Sequence, residues 1–390
     1  MKETAGIYVH IPFCLRKCEY CDFHSIVVND RSEFLAVVDS YLCAVQREAQ
    51  YYASWMEEYR FETLFLGGGT PTAVPAEKLA EVVVYLRELF QLPVGAEITC
   101  EANPKTITAE SLNELRDVGV NRISLGAQAF QDSLLDVLGR THSAADVSTS
   151  VQALHAAGFT DFNLDLMFGL PGQTMADWQA TLERAVDLAP THLSCYSLIV
   201  EEGTPFYDLF SRDLLDLPGE DTEADMYALA RDVLQRAGYR HYEVSNFALP
   251  GNECAHNLLY WKNQPYLGLG SSASGRVGTM RYTNAADVPG YIAAWQHNQP
   301  NIAHVEALDK DKEMDETLIC GLRLLDGVSE AEFRERFGCS LWEVYPDQIK
   351  NLEERGLVQY RAGRLSVTTQ GLFLGNVVYR EFLRSSERRI

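Results

Sequence analysis

The 390-residue sequence lacks an apolar run long enough to span a membrane, and no basic-then-apolar leader precedes Tyr8. It is also poor in positive charge, because 33 Lys and Arg stand against 55 Asp and Glu, for a formal net charge of −22. A field of that sign repels nucleic acid and anionic lipid. We therefore expect a cytoplasmic protein that is not an integral membrane protein and has no nucleic-acid partner. Basic residues cluster at the end of the chain in a pattern typical of a solvated helix end: Arg380, Arg384, Arg388 and Arg389.

A disulfide framework is missing as well, although the chain has nine cysteines. Three form a compact block near the start of the chain. The other six are scattered, most of them in apolar runs where cysteine acts as a small buried side chain. The scattered residues are Cys43, Cys100, Cys195, Cys254, Cys320 and Cys339. This distribution indicates a reducing compartment.

The compact block contains Cys14, Cys18 and Cys21, directly after an apolar, strand-like segment at 7–11. Its spacing puts three thiolates in one loop, and soft sulfur selects zinc or an iron–sulfur cluster. Structural zinc takes four ligands, whereas three thiolates on a four-iron cube leave one iron open to a small molecule. The alternatives are a disulfide with a spare thiol, or a zinc site completed by His10 or His24.

This Cys-x3-Cys-x2-Cys block after a first strand resembles the signature of the radical S-adenosylmethionine (SAM) superfamily. The resemblance implies a [4Fe–4S] cluster whose open iron chelates the amino and carboxylate groups of SAM. It also implies that an electron passed to SAM generates a 5′-deoxyadenosyl radical, and hence that an electron donor serves the cluster.

Strand and helix patterns alternate six times up to residue 200, which predicts a parallel sheet with helices outside it. Polar residues stand at the predicted strand ends, among them Glu101, Gln128 and Asp165, where the sites of parallel barrels gather. The resemblance implies a partial (β/α)6 barrel rather than a closed one. We predict an α/β protein in three regions: the barrel at 1–205, a connecting region at 206–311 and a C-terminal domain at 312–390.

By the same resemblance, the SAM site draws on a glycine-rich stretch and on several polar residues. Gly68, Gly69 and Thr70 match the stretch that holds the methionyl amine, although an ordinary tight turn is the alternative. The other implied residues are Tyr8 and Tyr20 beside SAM and the cluster, Glu101 and Gln128 as hydrogen-bond partners, Arg140 facing the carboxylate, and Asp165 on the ribose hydroxyls. An arginine fork suits a carboxylate, but a surface helix end is the alternative for Arg140.

A second informative stretch is the motif His256-Asn257-x-x-Tyr260-Trp261. His256 is either a satisfied polar residue beside an aromatic cluster or an axial ligand of haem iron, with Tyr260 and Trp261 packing the macrocycle. Composition alone favours the first interpretation, because histidine is common in ordinary cores.

The motif, with Ser-Asn-Phe-Ala before it, resembles the HemW-type family, the haem-binding branch of the oxygen-independent coproporphyrinogen III dehydrogenase (HemN) group. The dehydrogenases have a longer lead-in and a further cysteine two residues after the block, where this chain has Phe23. Both features favour the HemW branch. The chain departs from its relatives at Ser274, where a histidine is usual, so any role of that histidine is lost or moved here.

The C-terminal pattern of three helices and a hairpin predicts a winged-helix-like α+β domain. We expect helices over 313–325, 329–337, 341–355 and 369–383, with hairpin strands at 358–360 and 365–367. The third helix is rich in acidic residues, so it would repel phosphate, and a lid or docking role is expected instead of DNA binding.

The resemblance implies a haem chaperone that binds haem, a [4Fe–4S] cluster and SAM. It would deliver haem to membrane haem proteins, with peripheral contact at the membrane. The alternative is a coproporphyrinogen III dehydrogenase that removes carboxylate groups by radical chemistry. A radical SAM enzyme acting on nucleic acid is disfavoured by the negative charge. A homodimer is compatible with the sequence.

Overall fold

The computed structural model describes residues 2–383. Six parallel strands form its centre, in the order β1 to β6, each hydrogen-bonded to the next. They are β1 (Glu3–Ile11), β2 (Tyr59–Gly68), β3 (Glu97–Ala102), β4 (Arg122–Gln128), β5 (Phe162–Phe168) and β6 (His192–Ser197). The predicted six-fold alternation is thus confirmed.

The crossover helices between these strands cover the sheet. They are α1 (Arg31–Ala53), α2 (Ala76–Leu89), α3 (Ala109–Asp117), α4 (Asp132–Val137), α5 (Ala144–Ala156) and α6 (Met175–Asp187). Three of them begin at capping boxes, in which Thr108, Ser143 and Thr174 accept a hydrogen bond from the third helical residue. Their apolar faces and the strands share one continuous core.

The region at 206–311 extends the same sheet at both edges. Beyond β6 lie α7 (Pro205–Phe210), α8 (Glu220–Arg236), β7 (Arg240–His241) and β8 (Asn246–Ala248), and β8 pairs antiparallel with β6. After α9 (Ala255–Trp261), strand β9 (Tyr266–Leu269) pairs parallel with β1. The antiparallel strands β10 (Ser274–Val277), β11 (Met280–Asn284) and β12 (Ile302–Ala307) follow, with α10 (Val288–Gln296) between the last two.

The C-terminal elements enclose a second apolar core. They are α11 (Lys310–Gly321), β13 (Val328–Ser329), α12 (Glu330–Phe337), α13 (Leu341–Val344), α14 (Pro346–Glu354), β14 (Val358–Arg361), β15 (Arg364–Val367), α15 (Thr369–Phe373) and α16 (Gly375–Glu381). The predicted hairpin is confirmed. Its turn places Ala362 and Gly363 at φ of 50° and 75°, the left-handed geometry of a two-residue hairpin loop.

Several predicted boundaries were wrong. The helix expected over 341–355 breaks at Tyr345, because Pro346 disfavours helical geometry in the residue before it. The helix expected over 369–383 is interrupted at Leu374, and the one over 313–325 ends at Gly321. Residues 138–142, between α4 and α5, are not helical, and β6 ends at Ser197.

No helix within residues 2–383 is both long and apolar enough to cross a membrane. At the basic end of the chain, Arg380 is exposed near the end of α16, as predicted for a solvated helix end. The predictions for Arg384, Arg388 and Arg389 lie outside the described residues.

Candidate functional site

The three block cysteines lie in the loop after β1, where the carboxyl ends of the parallel strands meet. Cys14, Cys18 and Cys21 are half-buried free thiols, and all three line one cavity of about 490 Å³. The loop is anchored by the Cys14 amide donating to the Ile26 carbonyl at 3.0 Å and by the Glu19 amide donating to the Leu138 carbonyl at 3.1 Å. The structure brings the three thiols together, with no disulfide formed between them.

The two histidines considered as zinc ligands are placed elsewhere. His10 uses both ring nitrogens, Nδ1 with the Tyr8 hydroxyl at 3.0 Å and Nε2 with the His24 carbonyl at 2.8 Å. His24 lines an adjoining cavity and not the one that contains the thiols. Within residues 2–383 no group of three or more His, Cys, Asp or Glu is arranged to hold a single metal ion.

Burial disfavours the thiolate forms of Cys14 and Cys21 when no metal is bound. Burial raises the pKa of Cys14 and raises that of Cys21 to about 11. A thiol must lose its proton to ligate a metal, so a metal bound at this loop would displace protons from these two thiols. Arg140 donates to Cys18 Sγ at 3.6 Å, and a cation there favours a bound thiolate.

The glycine-rich stretch passes beside the cysteine loop. Gly68 has a φ of 110°, and a side chain there would come within 2.5 Å of the His10 ring. A side chain on Gly69 would lie 2.8 Å from the Phe13 carbonyl. Close packing against β1 therefore already requires glycine at both positions. Thr70 Oγ1 lies 3.6 Å from Cys14 Sγ.

Two carboxylates, those of Glu101 and Asp165, line the same cavity as the three cysteines. Glu101 accepts from the Gly68 amide at 3.0 Å, while Asp165 accepts from the Ser124 hydroxyl at 3.1 Å and from the Asn163 side-chain amide at 2.8 Å. Burial, with the Asp165 charge second, raises the pKa of Glu101 to about 8. Burial also raises the pKa of Asp165. A positively charged ligand in this cavity would be favoured, because its charge would offset the free-energy cost of ionising both buried carboxyl groups.

Arg140 follows α4 and points into the cavity, so it is not the surface helix end that was considered as the alternative. Its Nη2 donates to Asn103 Oδ1 at 2.5 Å and to the Gly126 carbonyl at 2.7 Å. Gln128 lines the same cavity at a bulge in β4 and has a φ of 67°.

The two predicted tyrosines occupy different places. Tyr20 lines the cysteine cavity and packs on an apolar cluster around α4. Tyr8 lines the adjoining cavity of about 540 Å³, which shares Gly68, Glu101 and Asp165 with the first. The two cavities are therefore neighbouring parts of one barrel interior.

The structure places the four motif residues of α9 in different surroundings. Asn257 and Tyr260 line the adjoining cavity, and so does Ser274, whose hydroxyl lies 2.9 Å from Thr283 Oγ1. Trp261 lines a separate groove beside the C-terminal domain. The motif is therefore not gathered around one cavity.

His256 is enclosed in the core, with 1% of its surface exposed. Its Nδ1 hydrogen-bonds with Thr63 Oγ1 at 2.7 Å, and its Nε2 with the Tyr260 hydroxyl at 2.8 Å. Burial lowers the pKa of His256 to about 3, so the ring is neutral. Neither nitrogen is available to a metal in this arrangement, which favours the interpretation of a satisfied core histidine.

Sequence reasoning missed two residues that position these groups. Asn103 links Arg140 to Thr70, since it accepts from Arg140 and its Nδ2 donates to Thr70 Oγ1 at 2.8 Å. Glu97 caps α9 by accepting from the Ala255 and His256 amides at 2.8 and 2.9 Å. Asn103 could have been predicted as a site residue because it stands just after a strand. Glu97 could not, because it caps a helix that begins 158 residues away in the sequence.

Comparisons with known proteins agree with this architecture. Residues 8–185 match the Radical SAM superfamily model, and residues 308–374 match the HemN C-terminal domain. The chain is 39% identical to heme chaperone HemW of Lactococcus lactis subsp. lactis over 98% of each chain. It is 37% identical to heme chaperone HemW of Bacillus subtilis, over 96% of this chain and 98% of the relative.

The fold is also shared with a solved structure. Coproporphyrinogen III oxidase (HemN) from Escherichia coli, a radical SAM enzyme, superposes with a TM-score of 0.84 at 25% identity. The match covers 98% of this chain and 90% of that one.

Proposed function

Because the chain belongs to the HemW family within the radical SAM superfamily, we propose that it is a haem chaperone that binds haem and passes it to membrane haem proteins. The observation that carries this proposal is similarity along the entire chain to proteins named heme chaperone HemW. The similarity spans the cysteine loop, the α9 motif and the C-terminal domain alike.

Membership of the radical SAM superfamily implies a [4Fe–4S] cluster and SAM. We propose that Cys14, Cys18 and Cys21 hold the cluster, since three thiols share one cavity that also contains Arg140. A bound cluster would supply an electron to SAM, and an electron donor would have to supply the cluster. Arg140 would hold a carboxylate in place, while Glu101 and Asp165 would favour the positive groups of SAM.

The alternative function is coproporphyrinogen III dehydrogenase. The chain shares the HemN fold, but its identity to the Escherichia coli enzyme is 25%, against 39% to the Lactococcus lactis HemW. Phe23, which stands where the dehydrogenases carry an extra cysteine, is 60% exposed. These differences favour the chaperone.

We further propose that the work is divided along the chain. The barrel at 1–205 would bind the cluster and SAM. The region at 206–311 would contribute the α9 motif to haem binding, and the domain at 312–390 would serve as a lid or docking domain for the barrel. The negative net charge gives no support to a nucleic-acid partner. Peripheral contact with a membrane and dimerisation remain predictions.

One anaerobic experiment separates the two functions. Protein reconstituted with iron and sulfide is titrated with haem and then incubated with SAM, a reductant and coproporphyrinogen III. We expect one haem bound per chain and no protoporphyrinogen. Steady formation of protoporphyrinogen, or no haem binding, would contradict the chaperone proposal.

A further inference from the structure

A groove of about 460 Å³ lies between α9 and the C-terminal domain. Leu258 and Trp261 of α9 form one side, and Val328 and Phe333 of the C-terminal domain form the other. Phe333 and Val328 are buried, so the floor of the groove is apolar. Its volume is within the range of pockets that bind small molecules and cofactors.

The charge of the groove contrasts with that of the whole chain, which is −22. The groove is lined by four basic side chains, Arg240, Lys262, Arg336 and Arg364, and by three acidic ones, Glu253, Asp326 and Glu332. The two cavities at the strand ends instead share the carboxyl groups of Glu101 and Asp165. An anionic ligand is therefore better accommodated in the groove.

Among the described residues, two of the four basic side chains are already neutralised by carboxylates and two, Lys262 and Arg364, are not. Arg240 is paired with Asp326 at 2.6 Å, and Arg336 with Glu313 at 2.6 Å. Arg364, in contrast, donates to the main-chain carbonyls of Asp326 and Gly327, at 2.7 and 2.8 Å. Within residues 2–383 neither Arg364 nor the exposed Lys262 forms an ion pair with a carboxylate.

Trp261 adds a flat surface to the groove. Its indole nitrogen is buried and meets no acceptor within residues 2–383. Arg323 lies 5.1 Å from the ring centroid, which fixes the orientation of the indole. The nitrogen is shielded from the groove, so Trp261 offers its ring and not its N–H. A planar anionic ligand fits this combination of an aromatic wall and basic residues.

We propose that the groove holds the haem, with its macrocycle on the apolar floor and its two propionates on Lys262 and Arg364; this rests on the proposed chaperone function. The described residues that line the groove include no His, Cys or Met. Recognition therefore uses the ring and the carboxylates and not the iron. His256 acts from the core by holding α9, and hence Trp261, in place.

The test compares haem with iron-free protoporphyrin IX as titrants of the full-length, reconstituted protein, with dissociation constants read from absorbance. We expect the two constants to agree within about fivefold, because each ligand offers the same ring and propionates. Lys262→Glu together with Arg364→Glu should weaken both by roughly tenfold or more, since reversed charges repel the propionates. Lys262→Glu alone changes an exposed side chain and should give a smaller loss in the same direction.

The matched control is Lys350→Glu with Arg361→Glu, which changes the charge equally at exposed positions of the same domain outside the groove. It should leave both constants unchanged. Equal affinities in the groove and control variants, or binding of haem without protoporphyrin IX, would overturn the groove proposal and leave the chaperone function standing. Failure of the unaltered protein to bind haem would overturn the chaperone function itself.

Discussion

The cysteine loop and the α9 motif both carry residues typical of metal ligands, but the structure treats them in opposite ways. The thiols of Cys14, Cys18 and Cys21 face a cavity. The imidazole of His256 is 1% exposed and has a hydrogen-bond partner on each nitrogen. The difference teaches that a motif residue of a metal-binding type has two possible roles. It can face a ligand, as the thiols do, or it can stabilise the helix whose other residues face a ligand, as His256 does.

The largest expected effect concerns the cysteine loop, whose thiols face the cavity. Cys18→Ala should abolish cluster loading, from about four irons per chain to nearly none, because the remaining two thiolates cannot hold the cube. Iron and sulfide analysis after anaerobic reconstitution measures this. Cys43→Ala, at an exposed position of α1, is the control and should load fully. Full loading of Cys18→Ala would remove the cysteine loop from the proposed cluster site.

The next largest effect concerns His256, whose imidazole is enclosed in the core. His256→Ala should lower the free energy of unfolding by about 3 kcal/mol, because it opens a cavity and leaves buried hydroxyls unpaired. Urea unfolding of the cluster-free protein measures the loss. Asn257→Ala, its half-buried neighbour facing a cavity, should change stability by less than about 1 kcal/mol. Similar losses in both variants would show that the two residues are equally structural.

A smaller effect concerns the carboxyl group of Glu101 in the cluster-free protein. Its pKa is raised from 4.5 to about 8, so the folded state keeps a proton that the unfolded chain releases. This contribution to stability is complete below pH 4.5 and is lost as the pH rises through about 8, at up to about 1.4 kcal/mol per pH unit. Glu101→Gln should reduce that slope, as measured by unfolding between pH 5 and 8. The exposed Glu77→Gln is the control, and an unchanged slope in Glu101→Gln would contradict the assignment.

Local signals explain what could be predicted from the sequence. The cysteine spacing located the loop, and Ala362-Gly363 located the hairpin, because each depends on neighbouring residues. The break before Pro346 also had a local signal, which the acidic helical pattern concealed. Strand β9 was missed because its partner β1 is distant in the sequence, and β12 because it follows a helical connection. Strands β10 and β11 form a hairpin across Gly278 and Thr279, a local signal that the sequence reasoning overlooked.

The enclosure of His256 could not be predicted for a related reason. Its partner Thr63 lies 193 residues away in the sequence, and its helix is capped by Glu97 from another strand. The amino-acid sequence of the motif is the same whether the imidazole of His256 faces a ligand or the core. The separation of Trp261 from His256 likewise follows from how α9 packs between the barrel and the C-terminal domain.

The most direct test of the central claim, that the thiols and the haem occupy separate sites, is a haem titration of the triple variant Cys14→Ala, Cys18→Ala, Cys21→Ala beside the unaltered protein. The account predicts one haem per chain in both proteins, with dissociation constants within about threefold of each other. Loss of haem binding in the variant, while its unfolding transition is retained, would show that the thiolates hold the haem and would contradict the account.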